Sequence, residues 1–214
     1  MALDATVRQR LTSVLRSVDE HDTRGPRLLD DAHRLWKRVQ RFLAMHLIAA
    51  DADADALELS CHALQLPLRS VRLLPSGRLG RTNLRDRAEQ AAELLVSLFG
   101  EHVEEALLDR TTRLLHEMPQ RAPMLDEARL LADAVNLEDF GLIGMIIQAI
   151  QLARQGGGLT QVMEGCEKRE QYGYWEARLK DGFHFPQVRQ IAIRRLETAR
   201  QMCRMLAGEV GEDG

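Results

Sequence analysis

The apolar residues of this chain recur every three or four positions, the spacing that places side chains on one face of an α-helix. In the first such stretch Val7, Leu11, Val14 and Val18 form one stripe. Alternation of apolar and polar residues, the signature of a strand, does not extend over a useful length, and β-branched residues are sparse. The pattern therefore predicts an all-α fold.

Nine helices are predicted from this spacing and from the prolines and glycines that interrupt it, since proline lacks an amide donor and glycine readily ends a helix. Asn83 is expected to cap one helix, and Gly100 to end it by adopting the left-handed conformation. The predicted helices span residues 3–18, 28–48, 54–66, 84–99, 103–118, 126–136, 140–154, 159–179 and 186–206. Their unequal lengths and loops, without a repeat of fixed period, favour a single globular orthogonal helical bundle.

The chain is expected to have three parts. Residues 1–25 are predicted to form an N-terminal helix and linker, residues 26–208 the main helical domain, and residues 209–214 a disordered tail. A length of 214 residues suits one domain with a substantial core. Residues 67–82, with their prolines, glycines and arginines, are predicted to be the one long internal loop.

Composition narrows the function classes. The 29 basic and 32 acidic side chains leave a net charge of −3, which argues against a nucleic-acid partner. Charged residues recur along the chain, so no apolar run approaches the about 20 residues of a membrane-spanning helix and a membrane partner is not expected. The N-terminus lacks the apolar core of a secretory signal. Three widely spaced cysteines argue against a disulfide framework. We therefore predict a cytoplasmic protein and leave open a homo-oligomer.

Three histidines lie at the edges of apolar stripes on three different predicted helices. His33 flanks the stripe of the second helix, His62 that of the third, and His116 comes near the end of the fifth. Imidazole nitrogen is a strong ligand for first-row divalent metals, so the three could share one ion. The alternative is that each is a half-buried histidine with an ordinary hydrogen bond, and spacing alone favours that alternative.

Four segments between residues 30 and 206 occur in an order that resembles a known protein family. The segments read DAHRLWKRVQRFLA, DADALELSCHALQLP, TRLLHEMP and ARLLADAVNLEDFGLIGM. This succession resembles the HD-domain superfamily of metal-dependent phosphohydrolases, in which helices supply a first His, a His-Asp doublet and a last Asp to the metal. The resemblance matches His33 to the first histidine, His62 to the histidine of the doublet, and His116 to an additional histidine of many members. It implies an HD-domain-like fold and a hydrolase acting on a phosphoester or nucleotide with zinc, manganese or iron.

The sequence departs from the family pattern at both carboxylate positions. Ala63 stands where the doublet has its aspartate, and Val135 stands at the last aspartate, with Asp133 two residues earlier. The metal set that the resemblance implies here is therefore His33, His62, His116 and Asp133. On a helix, side chains two positions apart point about 200° apart, so Asp133 is a poor substitute at the position of Val135. A degenerate site favours altered or weak phosphohydrolase activity; the alternative is a catalytically inactive helical binding or regulatory module that retains the fold.

Basic residues in two segments are candidates for binding a phosphorylated small molecule. They are Arg81 in the predicted loop, and Lys168 and Arg169 in the predicted helix 159–179. Ordinary ion pairs on a solvated surface are the alternative. Tyr174 and Trp175 follow Lys168 and Arg169 closely in the sequence. Such a mixture of charged and aromatic side chains is typical of a cleft, a subunit interface or an amphipathic helix with its aromatic side in the core.

Overall fold

Helices account for nearly all of the regular structure. The protein is seen in a computed structural model that describes residues 3–21, 27–68 and 83–212. Within those ranges it has ten α-helices, one 3₁₀ turn and no strand, which confirms the all-α prediction for the described residues. The helices are α1 Ala5–His21, α2 Leu28–Ala44, α3 Ala54–Ala63, α4 Leu84–Phe99, α5 Glu105–Glu117, α6 Asp126–Asn136, α7 Leu142–Arg154, α8 Leu159–Gln171, α9 Tyr174–Asp181 and α10 Pro186–Glu212.

Side-chain caps explain where two of the helices begin. Asp53 accepts a hydrogen bond from the backbone N–H of Ala56 at 2.9 Å at the start of α3. Asn83 accepts one from the N–H of Asp86 at 2.8 Å at the start of α4, so the predicted cap is confirmed. Helix α4 ends at Phe99 as predicted, but Gly100 keeps a right-handed conformation with φ −54°, and the expected left-handed ending was wrong.

The helix predicted over residues 159–179 is interrupted. Gly173 adopts φ +62°, in the left-handed region that glycine enters without steric cost, and divides the stretch into α8 and α9. The sequence prediction missed this break because one isolated glycine inside a helical pattern is often tolerated. Helix α10 continues to Glu212, beyond the predicted end at residue 206.

The chain divides into two compact units, Met1–Ala132 and Asp133–Gly214. In the first unit α3 is the central helix: it packs against α2, α4 and α5, and α1 packs against α2. All eight residues from Ala56 to Ala63 are buried, as expected of a helix enclosed by others. Buried Glu58 on α3 receives two hydrogen bonds from Arg8 of α1, at 3.0 and 2.9 Å.

The second unit packs four helices around an aromatic and aliphatic core. Helix α10 contacts α7, α8 and α9, and α8 contacts both α7 and α9. Phe140 is fully buried, with its ring centroid 5.1 Å from that of Trp175 and 5.3 Å from that of Phe183. Val188, Ala192 and Leu196 of α10 are buried as well. Aromatic contacts of this kind add to the stabilisation from burial and fix the position of Trp175.

None of the helices in the described part of the chain is both long enough and apolar enough to span a bilayer. The orthogonal arrangement of a single bundle and the division at residues 25 and 208 stay predictions. The predicted loop of residues 67–82 lies outside the described residues, except for its first two positions.

Candidate functional site

Two of the predicted metal ligands meet in the first unit. His33 is exposed on α2 and His62 is buried on α3. Their ring centroids lie 5.6 Å apart and their planes are inclined by 78°, an edge-to-face contact. The packing of α2 on α3 therefore brings these two imidazoles together, as the prediction required.

One ring nitrogen of His62 forms a hydrogen bond, and the other has no partner among the described residues. Nδ1 donates a hydrogen bond to the carbonyl oxygen of Glu58 at 2.9 Å, so Nε2 carries the lone pair of the neutral ring. Nε2 is buried and has no hydrogen-bond partner among the described residues. Burial lowers the pKa of His62, and the neighbouring His33 lowers it further, while the Glu58 carbonyl opposes the shift. His62 is therefore neutral at pH 7, and Nε2 can accept a proton or coordinate an ion.

His116 is the third histidine of the predicted metal set. It lies exposed on α5, and no three His, Cys, Asp or Glu side chains form a metal-binding group within residues 3–21, 27–68 and 83–212. Ala63, at the position of the missing doublet carboxylate, is fully buried. The pair His33 and His62 thus lacks a third protein donor among the described residues.

Asp133 has a different role, at the start of α10. Its side chain is fully buried, and its two oxygens accept hydrogen bonds from the backbone N–H groups of His184 at 2.8 Å and Phe185 at 2.9 Å. These N–H groups directly precede Pro186, so Asp133 serves the turn that leads into the helix. Burial raises the pKa of Asp133 to about 7, although both hydrogen bonds oppose the shift. The oxygens that a metal would need are already engaged by the backbone.

These donors do not fit the four-ligand site that the resemblance implies. The fit fails at the carboxylates: one is replaced by Ala63, and the other belongs to Asp133, whose oxygens are held by backbone amides. Metal binding by the predicted set remains a prediction.

A cavity of about 500 Å³ lies within the second unit, between α7, α8, α9 and α10. Its volume falls in the range of small-molecule sites. Most of its wall is apolar or sulfur-bearing, and arginine and glutamate side chains supply the polar part. The lining residues are Met145, Met163, Cys166, Glu167, Arg169, Glu170, Trp175, Leu196, Ala199, Arg200, Cys203, Arg204 and Ala207.

The three predicted ligand-binding residues are in different situations. Arg169 lines the cavity, and its guanidinium carbon lies 5.4 Å from the ring centroid of Tyr174 and 5.3 Å from that of Trp175. Lys168 is exposed and pairs with Glu164 at 3.2 Å, one turn away on the same helix. Arg81 lies outside the described residues. Of the three, only Arg169 is placed by the structure at a candidate binding site.

The other arginines of the cavity wall are paired with carboxylates. Arg200 donates two hydrogen bonds to Glu170, at 2.8 and 2.7 Å, and one to Glu176 at 2.8 Å. Arg204 pairs with Glu197 at 3.0 Å. No carboxylate pairs with Arg169 within the described part of the chain. Among the three arginines of the cavity wall, Arg169 is therefore the one whose charge no ion pair among the described residues offsets.

Sequence reasoning missed most of the cavity. Its α10 wall consists of residues that recur with a helical period and so share one face: Leu196, Ala199, Arg200, Cys203, Arg204 and Ala207. That periodicity predicted a helix with one packed face. It gave no sign that the face borders a cavity, because this depends on the helices opposite it.

Comparison with models of known protein families, with curated proteins and with solved structures finds no match to this chain. The resemblance to the HD-domain superfamily therefore depends on the quoted residues alone.

Proposed function

We propose that this protein is a helical binding module whose ligand is a small organic anion with an apolar body, held in the cavity of the second unit. The observation that carries the proposal is the joint presence of a cavity of about 500 Å³ with a mostly apolar wall and of Arg169 in that wall. Pockets of this kind bind by burying an apolar body and select by a few placed polar groups.

Arg169 is suited to recognise the anionic group. Guanidinium groups bind carboxylate, phosphate and sulfonate oxygens through paired N–H donors. Its position over the rings of Tyr174 and Trp175 restricts the side chain before a ligand arrives. A cation held in advance loses less conformational entropy on binding, which favours affinity.

Binding of 8-anilinonaphthalene-1-sulfonate, an apolar anion of suitable size, tests the proposal. The intact chain should raise the fluorescence emission of this probe saturably. Arg169→Gln should weaken binding by about ten-fold, because the variant loses one charge-assisted hydrogen bond to the sulfonate. Ala207→Phe should abolish it, since Ala207 lines the cavity and is exposed enough to accept a larger side chain. The matched control is Arg85→Gln on α4, whose guanidinium is exposed and pairs with Glu89 one turn away. Equal effects of the Arg169 and Arg85 substitutions would refute the role of Arg169, and unchanged binding in Ala207→Phe would refute the cavity.

A second candidate function is a divergent metal-dependent phosphohydrolase. The observation that favours it is the contact of His33 with His62, whose buried Nε2 has no partner among the described residues. Metal analysis of the purified chain for zinc, manganese and iron, and a phosphatase and nucleotidase screen with added manganese, test it. A His33→Ala, His62→Ala double variant should lose both metal and activity. Activity that survives both substitutions would exclude this site.

A further inference from the structure

Three helices of the second unit each bring a sulfur atom to the same cavity. Cys166 belongs to α8, Cys203 to α10 and Met145 to α7, and all three line the cavity wall. Sγ of Cys203 lies 4.0 Å from Sδ of Met145. The two thiols are near enough to influence each other's ionisation. Met163 of α8 adds a second thioether to the wall.

We propose that Cys166, Cys203 and Met145 form a binding site for one soft monovalent metal ion, with Cu(I) as the ion it suits best. Thiolate and thioether sulfur are the protein ligands that select Cu(I) over harder divalent ions. The inference needs only these sulfur atoms and does not depend on an organic ligand in the cavity.

The distance between the sulfur atoms of Cys203 and Met145 agrees with a three-coordinate site. An ion about 2.3 Å from each of three sulfurs in one plane places the sulfurs about 4.0 Å apart, taking the usual metal–sulfur bond length in proteins. Cys203 and Met145 already have a separation of 4.0 Å. This pair therefore needs little rearrangement to hold an ion between its sulfur atoms.

The cavity wall can also compensate the charge of an ion bound by these thiols. A metal ion binds such thiols by displacing their protons. Two thiolates and Cu(I) carry a net charge of −1, and Arg169 in the same wall provides a compensating charge.

The third cysteine supplies a matched control. Cys61 lies on α3 in the first unit and is fully buried among the residues of that core. It has no place in the cavity wall. Substituting it removes one thiol from the chain without touching the proposed site.

Competition for Cu(I) against bicinchoninate, with the full chain reduced and kept free of oxygen, tests the proposal. The native chain should withdraw one equivalent of Cu(I) from the coloured complex, and so should Cys61→Ala. Cys166→Ala and Cys203→Ala should each weaken Cu(I) binding by more than about 100-fold. Loss of a residue that only supports a metal ligand typically weakens binding by about 10–100-fold, and these two residues are ligands themselves. Met145→Leu keeps both thiols and a similar volume, so a smaller loss is expected from it.

Two results would overturn the site. The first is a native chain that withdraws no Cu(I) from bicinchoninate. The second is a Cys166→Ala, Cys203→Ala double variant that still withdraws one equivalent while its helical circular dichroism matches that of the native chain. Binding of 8-anilinonaphthalene-1-sulfonate to the same variants distinguishes loss of the metal site from loss of the cavity.

Discussion

Replacing Asp133 by alanine removes a side-chain acceptor from two backbone donors at the start of α10. The N–H groups of His184 and Phe185 donate to its oxygens at 2.8 and 2.9 Å. A buried donor left without an acceptor costs about 1–3 kcal/mol, and these two N–H groups are half-buried, so the lower end of that range applies to each. Asp133→Ala should therefore lower the free energy of unfolding by about 2–3 kcal/mol.

The pH dependence of unfolding gives an independent test of the same residue. The pKa of Asp133 is raised from 3.8 to about 7 in the folded protein. Because the folded state holds this proton more tightly, the contribution of Asp133 is fully present below pH 3.8 and is lost as the pH rises through 7. A shift of about three pKa units corresponds to about 4 kcal/mol over that interval. Asp133→Asn cannot ionise and should lack this slope.

Urea denaturation followed by tryptophan fluorescence at pH 4.5, 6 and 8 measures both effects. Asp126→Ala is the matched control, since its carboxylate is half-exposed and pairs with Arg129 at 2.8 Å on the surface, where such pairs contribute about 0–1 kcal/mol. The reasoning is refuted if Asp133→Ala costs no more than the control. It is also refuted if Asp133→Asn keeps the wild-type slope.

Three other predictions concern single side chains. His62 should act in the direction opposite to Asp133: burial lowers its pKa, so its protonation opposes folding as the pH drops below 6.5. In denaturation experiments His62→Gln should therefore lose less stability than the native chain, or gain more, on acidification. Glu117→Ala should lower the free energy of unfolding by about 1–2 kcal/mol, because the Glu117 carboxylate accepts hydrogen bonds from the N–H groups of Met124 and Leu125 at 2.9 Å. Hydrogen exchange of these two amides should accelerate in the variant, and unchanged exchange would contradict the prediction. Gly173→Ala should cost about 1–2 kcal/mol at φ +62°, measured by thermal unfolding, and a neutral effect would mean that the left-handed turn is not needed.

The sequence predicts the helices well because their periodicity is local. Helix α2 was expected from residue 28 and begins at Leu28, and the cap of α4 at Asn83 was identified correctly. The break at Gly173 was not, since its left-handed turn depends on how α8 and α9 pack in the second unit. Short-range patterns thus identify the helices but not every interruption.

The candidate sites show where local reasoning stops. Edge positions on two stripes predicted that His33 and His62 could meet, and the structure places their rings in contact. The same reasoning could not show that Asp133 binds backbone amides 51 and 52 positions later. It also gave no indication of the sulfur atoms in the cavity, because Cys166 and Cys203 are 37 positions apart and their proximity comes from the packing of α8 on α10.

Quenching of Trp175 fluorescence by an apolar organic anion tests the proposed binding function most directly. The chain has two tryptophans, so Trp36→Phe leaves Trp175, in the cavity wall, as the sole emitter. The account predicts saturable quenching by 8-anilinonaphthalene-1-sulfonate in this variant, and none after Ala207→Phe is added. Quenching of equal strength with the cavity filled would contradict it, as would the absence of quenching in Trp36→Phe alone.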